Sequence, residues 1–500
     1  MRPLSHRLMM FFREAMGSEF HDLESHPFLV HPFAVRTRFL WRRLLPFLST
    51  RPVEWIVRGI LRVLLAGGLD VAGLGGGASN ENVRRFVGGL GPSKRVDLGM
   101  RILYRRGLRQ LRRVDRLLEA RKSGKEFLNL SCMTLSIGGS CNLQCSGCWS
   151  RSGQTEEPAP LEHVERVLRE AIDADVSLVS IIGPGEPFLD ARYARSLIDC
   201  IARHRELDAL LFTNGTLIDE ALAAKMSRAA NLFVLVSVDG PERTNDRRRG
   251  VGTYRSALAS MARLRNHQVP FGFSGTVYRE NRTEITSRAF IGAMVEAGCL
   301  LGAYIDAGFA ESACAGISPM TPRQREEYHG RVAGLRSGAA LHLIEGHMVE
   351  RDRYGCRARK GTWCHVDVRS GRVSPCLLFP HSSEECSLYR GSGGSVLCDI
   401  LRGPFFTEYR RLGSDHRHCM SDREGELLAL LRNPFLGRAD FEEVSAILKY
   451  RTDRAGRTGV PVGAVQAETH TDGPSASFAV SRTEGHHESG KSTASKHARD

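Results

Sequence analysis

From residue 127 to about 306 the chain alternates two hydrophobic periods. Short, near-continuous apolar and β-branched runs at 128–137, 176–182, 209–213, 232–238, 270–277 and 300–305 read as strands buried on both faces. Between them, 161–174, 191–204, 218–229, 254–266 and 284–297 place apolar residues three and four positions apart, the period of amphipathic helices. Six strand–helix units in succession predict a parallel sheet with right-handed crossovers, wound either as an open barrel or as a doubly wound sheet. A further helix near 322–336 leads into a cysteine-dense segment at 356–419 and then a helical stretch to about 448.

Outside this core the pattern changes. Residues 1–125 form a basic, Leu-rich leader. Thr50 and Pro52 mark a helix start there, and Gly67-Gly68 a stop. Glu54, Arg58 and Arg62 make a narrow polar stripe on that helix, against a broad arc of Trp55, Ile56, Ile60, Leu61, Leu64 and Leu65. Such a face packs onto the main domain or lies on a membrane surface; packing is the reading preferred. Gly73–Gly77 reads as a joint, and past Arg451 the Gly, Ser, Thr, His and charge content predicts a disordered tail. The expected layout is therefore leader 1–125, core 126–310, helical connector 311–355, cysteine-rich domain 356–450 and tail 451–500.

Composition narrows the function classes. With 500 residues, 42% hydrophobic and 25% charged, the chain is long enough for more than one core. Its apolar runs are too short for a membrane span or a signal h-region, and its 13 cysteines without secretory context point to metal ligation in a reducing, cytoplasmic compartment. The net charge of +14 raises nucleic acid as a partner. Much of it is the arginine run 101–116, which reads as the solvated face of a helix, and no nucleic-acid-binding motif accompanies it.

The most informative segment is Cys141-Asn142-Leu143-Gln144-Cys145-Ser146-Gly147-Cys148, on a loop at the C-terminal end of the first expected strand. Parallel α/β folds build active sites at such ends. Three thiolates leave one corner of a four-ligand metal site open, so the pattern points to chemistry rather than structural stapling; a zinc site is the alternative. Companion motifs close the next strands: Gly183-Pro184-Gly185-Glu186-Pro187, Thr213-Asn214-Gly215-Thr216 and Ser237-Val238-Asp239-Gly240.

In this order the motifs resemble the radical S-adenosylmethionine (SAM) enzymes. The resemblance implies an α/β fold, a partial (β/α)6 TIM-like barrel with an N-terminal helical extension and a small C-terminal α+β auxiliary cluster domain. It implies that Cys141, Cys145 and Cys148 ligate a [4Fe-4S] cluster whose fourth iron is chelated by SAM. Glu186 and Gly185 would meet the SAM ammonium side, Asn214 and Ser237 its ribose and methionine parts, and Arg249 its carboxylate. Pro184 stands where the family has glycine and removes a backbone donor. Trp149, one place past the third cysteine, replaces an aromatic the family places one residue before it.

Cys356 through Cys376 is similar to the auxiliary-cluster domains called SPASM or Twitch. That likeness implies Cys356, Cys376 and Cys419 as ligands of an auxiliary iron–sulfur cluster, around a hairpin at 365–373. Cys364, Cys386 and Cys398 remain candidates for the fourth, with Cys386 preferred, and a structural zinc is the alternative. Cys132, Cys200, Cys299 and Cys314 read as buried apolar thiols. The implied activity is reductive cleavage of SAM to a 5′-deoxyadenosyl radical that abstracts hydrogen from a substrate, with electrons from a flavodoxin or ferredoxin. A peptide is the first expectation for substrate; a lipid-linked or small molecule, with membrane-surface contact through the leader, is the second. A non-catalytic metal-binding or redox-sensing protein is the reading from a different class.

Overall fold

The protein is described by a computed structural model. It covers residues 128–411 except 149, 152–153, 308–315, 337–340, 346–355, 378–381, 384 and 391–395, with isolated positions between 85 and 122. The expected leader helix at 52–66, the glycine joint, the arginine run, the tail, Trp149, Cys314 and Cys419 lie outside the described residues.

Each apolar run becomes a strand whose ends are set by the residues that find ladder partners. They are β1 Cys132–Ser136, β2 Leu178–Ile181, β3 Asp208–Thr213, β4 Leu232–Ser237, β5 Phe271–Val277 and β6 Leu301–Asp306. Helices α1 Leu161–Asp173, α2 Ala191–Arg203 and α3 Glu220–Met226 connect β1 to β4. α4 Glu242–Arg249 and α5 Thr253–Asn266 precede β5, α6 Arg288–Ala297 precedes β6, and α7 Pro322–Arg336 follows it. Side-chain caps fix several starts: Asp190, Asp219 and Ser287 accept from the amides of Tyr193, Leu222 and Phe290. The Ser287 cap explains why α6 begins later than the expected 284.

The remaining elements are β7 His342–Glu345, β8 Trp363–Asp367, β9 Val373–Ser374, α8 Val396–Arg402 and α9 Pro404–Arg411. The nine strands form one sheet in the order β7-β6-β5-β4-β3-β2-β1-β8-β9. All neighbours are parallel except the β8–β9 hairpin. β1 to β6 follow one another without the reversal that defines a doubly wound sheet, so the winding is that of a partial barrel. The expected hairpin at 365–373 is present, and its first strand pairs with β1 along Cys132↔Trp363 to Ser136↔Asp367. The cysteine-rich segment thus shares one hydrogen-bonded surface with the core.

Alternation along the strands assigns the two faces. Phe273 of β5 meets Phe290 of α6 edge-on at 5.3 Å, and Tyr304 of β6 meets Tyr328 of α7 at 6.1 Å. These residues mark the outer, helix-covered face. Their neighbours one position along, such as Ser274 and Thr276, belong to the inner face. The inner face keeps half-buried positions at Leu210, Phe212, Ser237 and Thr276, whereas Leu211, Val234 and Val236 on the outer face are fully buried. The apolar core therefore lies between sheet and helices, and the inner face is left for a site.

α4 carries no apolar period, and its sequence signal is correspondingly absent. It is held instead by polar packing: Asn245 and Arg248 are buried, and Asp246 accepts from the amides of Gly252 and Tyr254.

Candidate active site

The cysteine loop leaves the C-terminal end of β1 and is fastened by the loops that follow β2, β3 and β4. The Glu186 amide donates to Ser140 O at 2.9 Å. Gly185 has φ +86°, and a Cβ there would lie 2.3 Å from Gly139 O, so glycine is required for the two loops to pack backbone to backbone. Asn214 donates to Asn142 Oδ1 at 2.8 Å, and Asn142 donates to Thr216 Oγ1 at 2.9 Å. From the β4 side, Ser146 N donates to Arg248 O at 2.9 Å.

Cys141, Cys145 and Cys148 are free thiols, Cys145 buried and the others half-buried. Cys141 Sγ accepts from Leu143 N at 3.5 Å and sits 3.9 Å from Asn214 Nδ2. Burial pushes the Cys141 thiol above its usual range; the Leu143 amide opposes this, and the Glu186 carboxylate adds to it.

Glu186 is 5% exposed and fully occupied within the protein. Its carboxylate accepts from Thr213 Oγ1 at 2.6 Å, Asn214 N at 2.7 Å and Phe188 N at 3.2 Å. Desolvation pushes it up to about 7 despite those donors. Ser237 lies on the inner face, its hydroxyl 3.4 Å from that of Ser274.

Arg249, expected at the SAM carboxylate, forms a two-point pair with Asp239, Nε to Oδ2 at 2.6 Å and Nη2 to Oδ1 at 3.1 Å. Arg248 Nη1 reaches the same Oδ2 at 2.6 Å, and Thr276 N donates to Oδ1 at 2.8 Å. Burial alone would raise the fully buried Asp239; the two guanidinium charges overcome it and hold the carboxyl down at about 2. Asp239 and Thr213 stand inside the motifs read from the sequence without a role assigned to them, and Arg248 was passed over. The available signal was the acid preceding a short, arginine-ended helix, since a buried arginine pair needs a carboxylate.

The donor set fits an iron–sulfur cluster. Thiolates around one tetrahedral zinc stand roughly 4 Å apart, given Zn–S bonds near 2.3 Å. Among the described residues, the group whose ligand atoms all lie within 4.8 Å of one another is Glu165, Cys200 and His204, not the cysteine trio. The Glu165 group is already satisfied: Glu165 takes Arg203 at 2.8 Å, Arg169 at 3.1 Å and the Cys200 thiol at 3.3 Å. Burial raises Cys200 to about 12, so it stays protonated as the expected inert thiol. The wider cysteine loop suits a larger inorganic core than a single ion.

Comparison with known proteins agrees. Residues 135–287 match the model of the Radical SAM superfamily. The chain carries a radical SAM domain. A stretch of 147 residues is 30% identical to Fe-coproporphyrin III synthase of Methanosarcina barkeri, covering 29% of this chain and 36% of the relative. Another of 194 residues is 25% identical to the sporulation killing factor maturation protein SkfB of Bacillus subtilis, covering 38% and 45%. The chain thus spans less than half the length of either relative. The SAM-bound structure of Streptococcus suis SuiB aligns at TM-score 0.48 and 16% identity over 64% of this chain and 78% of that one. Radical SAM domains work with a [4Fe-4S] cluster and SAM, and the matched segment contains the cysteine loop and the motifs after β2, β3 and β4.

In the cysteine-rich segment, Cys356, Cys364, Cys376 and Cys386 are buried. Val373 N donates to Cys386 O at 2.7 Å, and Arg372 forms an isolated antiparallel bridge with Ser387, so the Cys386 segment runs beside β9, which leads to Cys376. Cys364 lies within β8, opposite Met133, and burial pushes its thiol far up.

Proposed function

We propose that this protein is a radical SAM enzyme that modifies a peptide, with a second iron–sulfur cluster in its C-terminal segment. The observation that carries the reading is the cysteine loop itself, pinned by backbone and side-chain bonds from three successive strand ends. Cys141, Cys145 and Cys148 would hold the cluster. When bound, cluster and SAM supply an electron-driven C–S cleavage and a carbon radical that takes hydrogen from substrate.

The protein's part is placement. Gly185 lets the β2 loop approach the cysteine loop, and Glu186, Asn214 and Ser237 would hold SAM beside the cluster. Asp239 with Arg248 and Arg249 braces the cysteine loop from below, which is the role assigned here to Arg249. Cys356, Cys376 and Cys419 would be the auxiliary ligands, with Cys386 preferred as the fourth; the adjacency of the Cys386 segment to β9 supports Cys386 over Cys364. The reductant would be a cytoplasmic flavodoxin or ferredoxin. A maturation protein among the relatives supports a peptide, and a porphyrin synthase among them keeps a small-molecule substrate as the second reading. No helix among the described residues is long and apolar enough to cross a membrane.

The test is anaerobic purification with iron and sulfide analysis, followed by reduction with dithionite in the presence of SAM. Release of 5′-deoxyadenosine, lost in Cys145→Ala, is the expected outcome. Zinc in place of iron, or a loaded cluster without nucleoside release, overturns the reading. A short precursor gene beside this one would support the peptide substrate over the small molecule.

A further inference from the structure

The three cysteines of the loop differ in what meets their sulfur atoms. Cys141 Sγ takes the Leu143 amide at 3.5 Å and has the Asn214 side-chain nitrogen at 3.9 Å. No hydrogen-bond donor among the described residues reaches Cys145 Sγ. Cys148 Sγ has the Ser150 hydroxyl at 3.4 Å, the shortest of these contacts.

Ser150 is carried to that position by its own turn. Arg151 N donates to Cys148 O at 3.4 Å, which closes a tight i→i+3 turn around Ser150. Arg151 Nη2 then reaches back to Cys145 O at 3.0 Å. The backbone on either side of Ser150 is thus tied to two of the three cysteines. Ser150 is half-buried, and among the described residues its hydroxyl has no other hydrogen-bond partner.

The chemistry of ligation fixes the direction of this bond. A free thiol and a hydroxyl can each donate to the other. A cysteine that holds iron is a thiolate without a proton, so the hydroxyl has to be the donor. Donation to a ligating sulfur favours the electron-richer state of an iron–sulfur core and raises its reduction potential.

We propose that Ser150 tunes the reduction potential of the cluster held by the cysteine loop, acting through the Cys148 thiolate. The proposal rests on Cys148 being a cluster ligand, and it adds a residue that lies outside the SAM-binding motifs. A higher potential eases the transfer of one electron from the reductant into the cluster and leaves less driving force for passing it to SAM. Ser150 therefore sets the balance between the two transfers.

The test is an anaerobic redox titration of the full-length, cluster-loaded protein, followed by electron paramagnetic resonance. The signal that changes on addition of SAM belongs to the cluster with an open iron, which separates it from an auxiliary cluster. Loss of one hydrogen bond in Ser150→Ala should lower the reduced-to-oxidised ratio at a fixed potential about three- to tenfold. That is a midpoint about 30–60 mV lower, at about 59 mV per tenfold for one electron. Ser150→Thr keeps the hydroxyl and should stay within about twofold of the wild-type ratio, and both variants should hold wild-type iron and sulfide. A downward shift of less than about 30 mV in Ser150→Ala overturns the proposal. So does an equal shift in Ser150→Thr, or loss of iron from Ser150→Ala, since either makes Ser150 a packing residue. The titration needs no SAM cleavage. A wild-type protein without a SAM-sensitive cluster overturns the enzyme reading and this proposal together, whereas an unmoved midpoint in a well-formed cluster overturns this proposal alone.

Discussion

Replacing Asp239 by Asn probes the brace beneath the cysteine loop. The carboxylate is 0% exposed and faces two guanidiniums whose side chains are 4% and 11% exposed. Asparagine keeps the size and can still accept from Thr276 N, but it leaves two buried cations with no counter-charge. Breaking a buried pair by removing one partner costs about 3–5 kcal/mol, a large part of the roughly 5–15 kcal/mol that holds a domain together. With an m-value of about 2–3 kcal/mol/M, the urea midpoint of the full-length protein, followed by circular dichroism, should fall by roughly 1–2 M. Because Arg248 also supports the loop through its carbonyl to Ser146 N and its Nη2 to Gly147 O, the variant should bind less iron after reconstitution. Adding Arg249→Met to Asp239→Asn should recover part of the loss, with a coupling of about 2 kcal/mol. A midpoint shift below about 0.5 M, or strictly additive single changes, would refute the charge argument and leave Asp239 a packing residue.

Other consequences are as concrete. Asp239 titrates at about 2 in the fold against an ordinary 3.8. It therefore contributes about 2 kcal/mol above the ordinary value, lost as pH falls from about 4 to about 2; the acid limb of wild-type stability should flatten in Asp239→Asn, and an unchanged limb would contradict the pairing. Gly185→Ala forces a Cβ onto Gly139 O at a positive φ, so it should cost more than about 2 kcal/mol and weaken SAM retention in dialysis; wild-type retention would show that the loops have slack. Asn231, 2% exposed, donates from Nδ2 to the carbonyls of Ile201, His204 and Leu207. Asn231→Ala should destabilise by about 2–3 kcal/mol in urea while leaving iron content unchanged, since it ties down the loop into β3 at the end of the strand away from the cysteines.

The core was legible because its strands are apolar on both faces and its helices on one. Those patterns survive translation into structure, and the boundaries moved only where a ladder partner or a cap decided them, as at Cys132 and Ser287. What escaped was polar. α4, reading Glu242-Arg243-Thr244-Asn245-Asp246-Arg247-Arg248-Arg249, has no period to detect, yet it delivers both arginines of the brace. β7 and β8 are short, and their place beside β6 and β1 depends on closure of the sheet rather than on local preference. Arg249 shows what position leaves out: its number suits a SAM carboxylate, and the fold also pairs it with Asp239, a partner that no one-dimensional signal names.

The brace and the cysteine loop also balance each other electrostatically. Asp239 cancels one of the two arginine charges, leaving one buried positive charge beside Cys145 and Cys148. A buried cation without a partner would be a liability. A cluster held by three thiolates would be anionic, and the excess positive charge of the brace would serve as its counter-charge. Loading should therefore stabilise the fold as well as equip it, in the sense that metal binding and folding share one free energy.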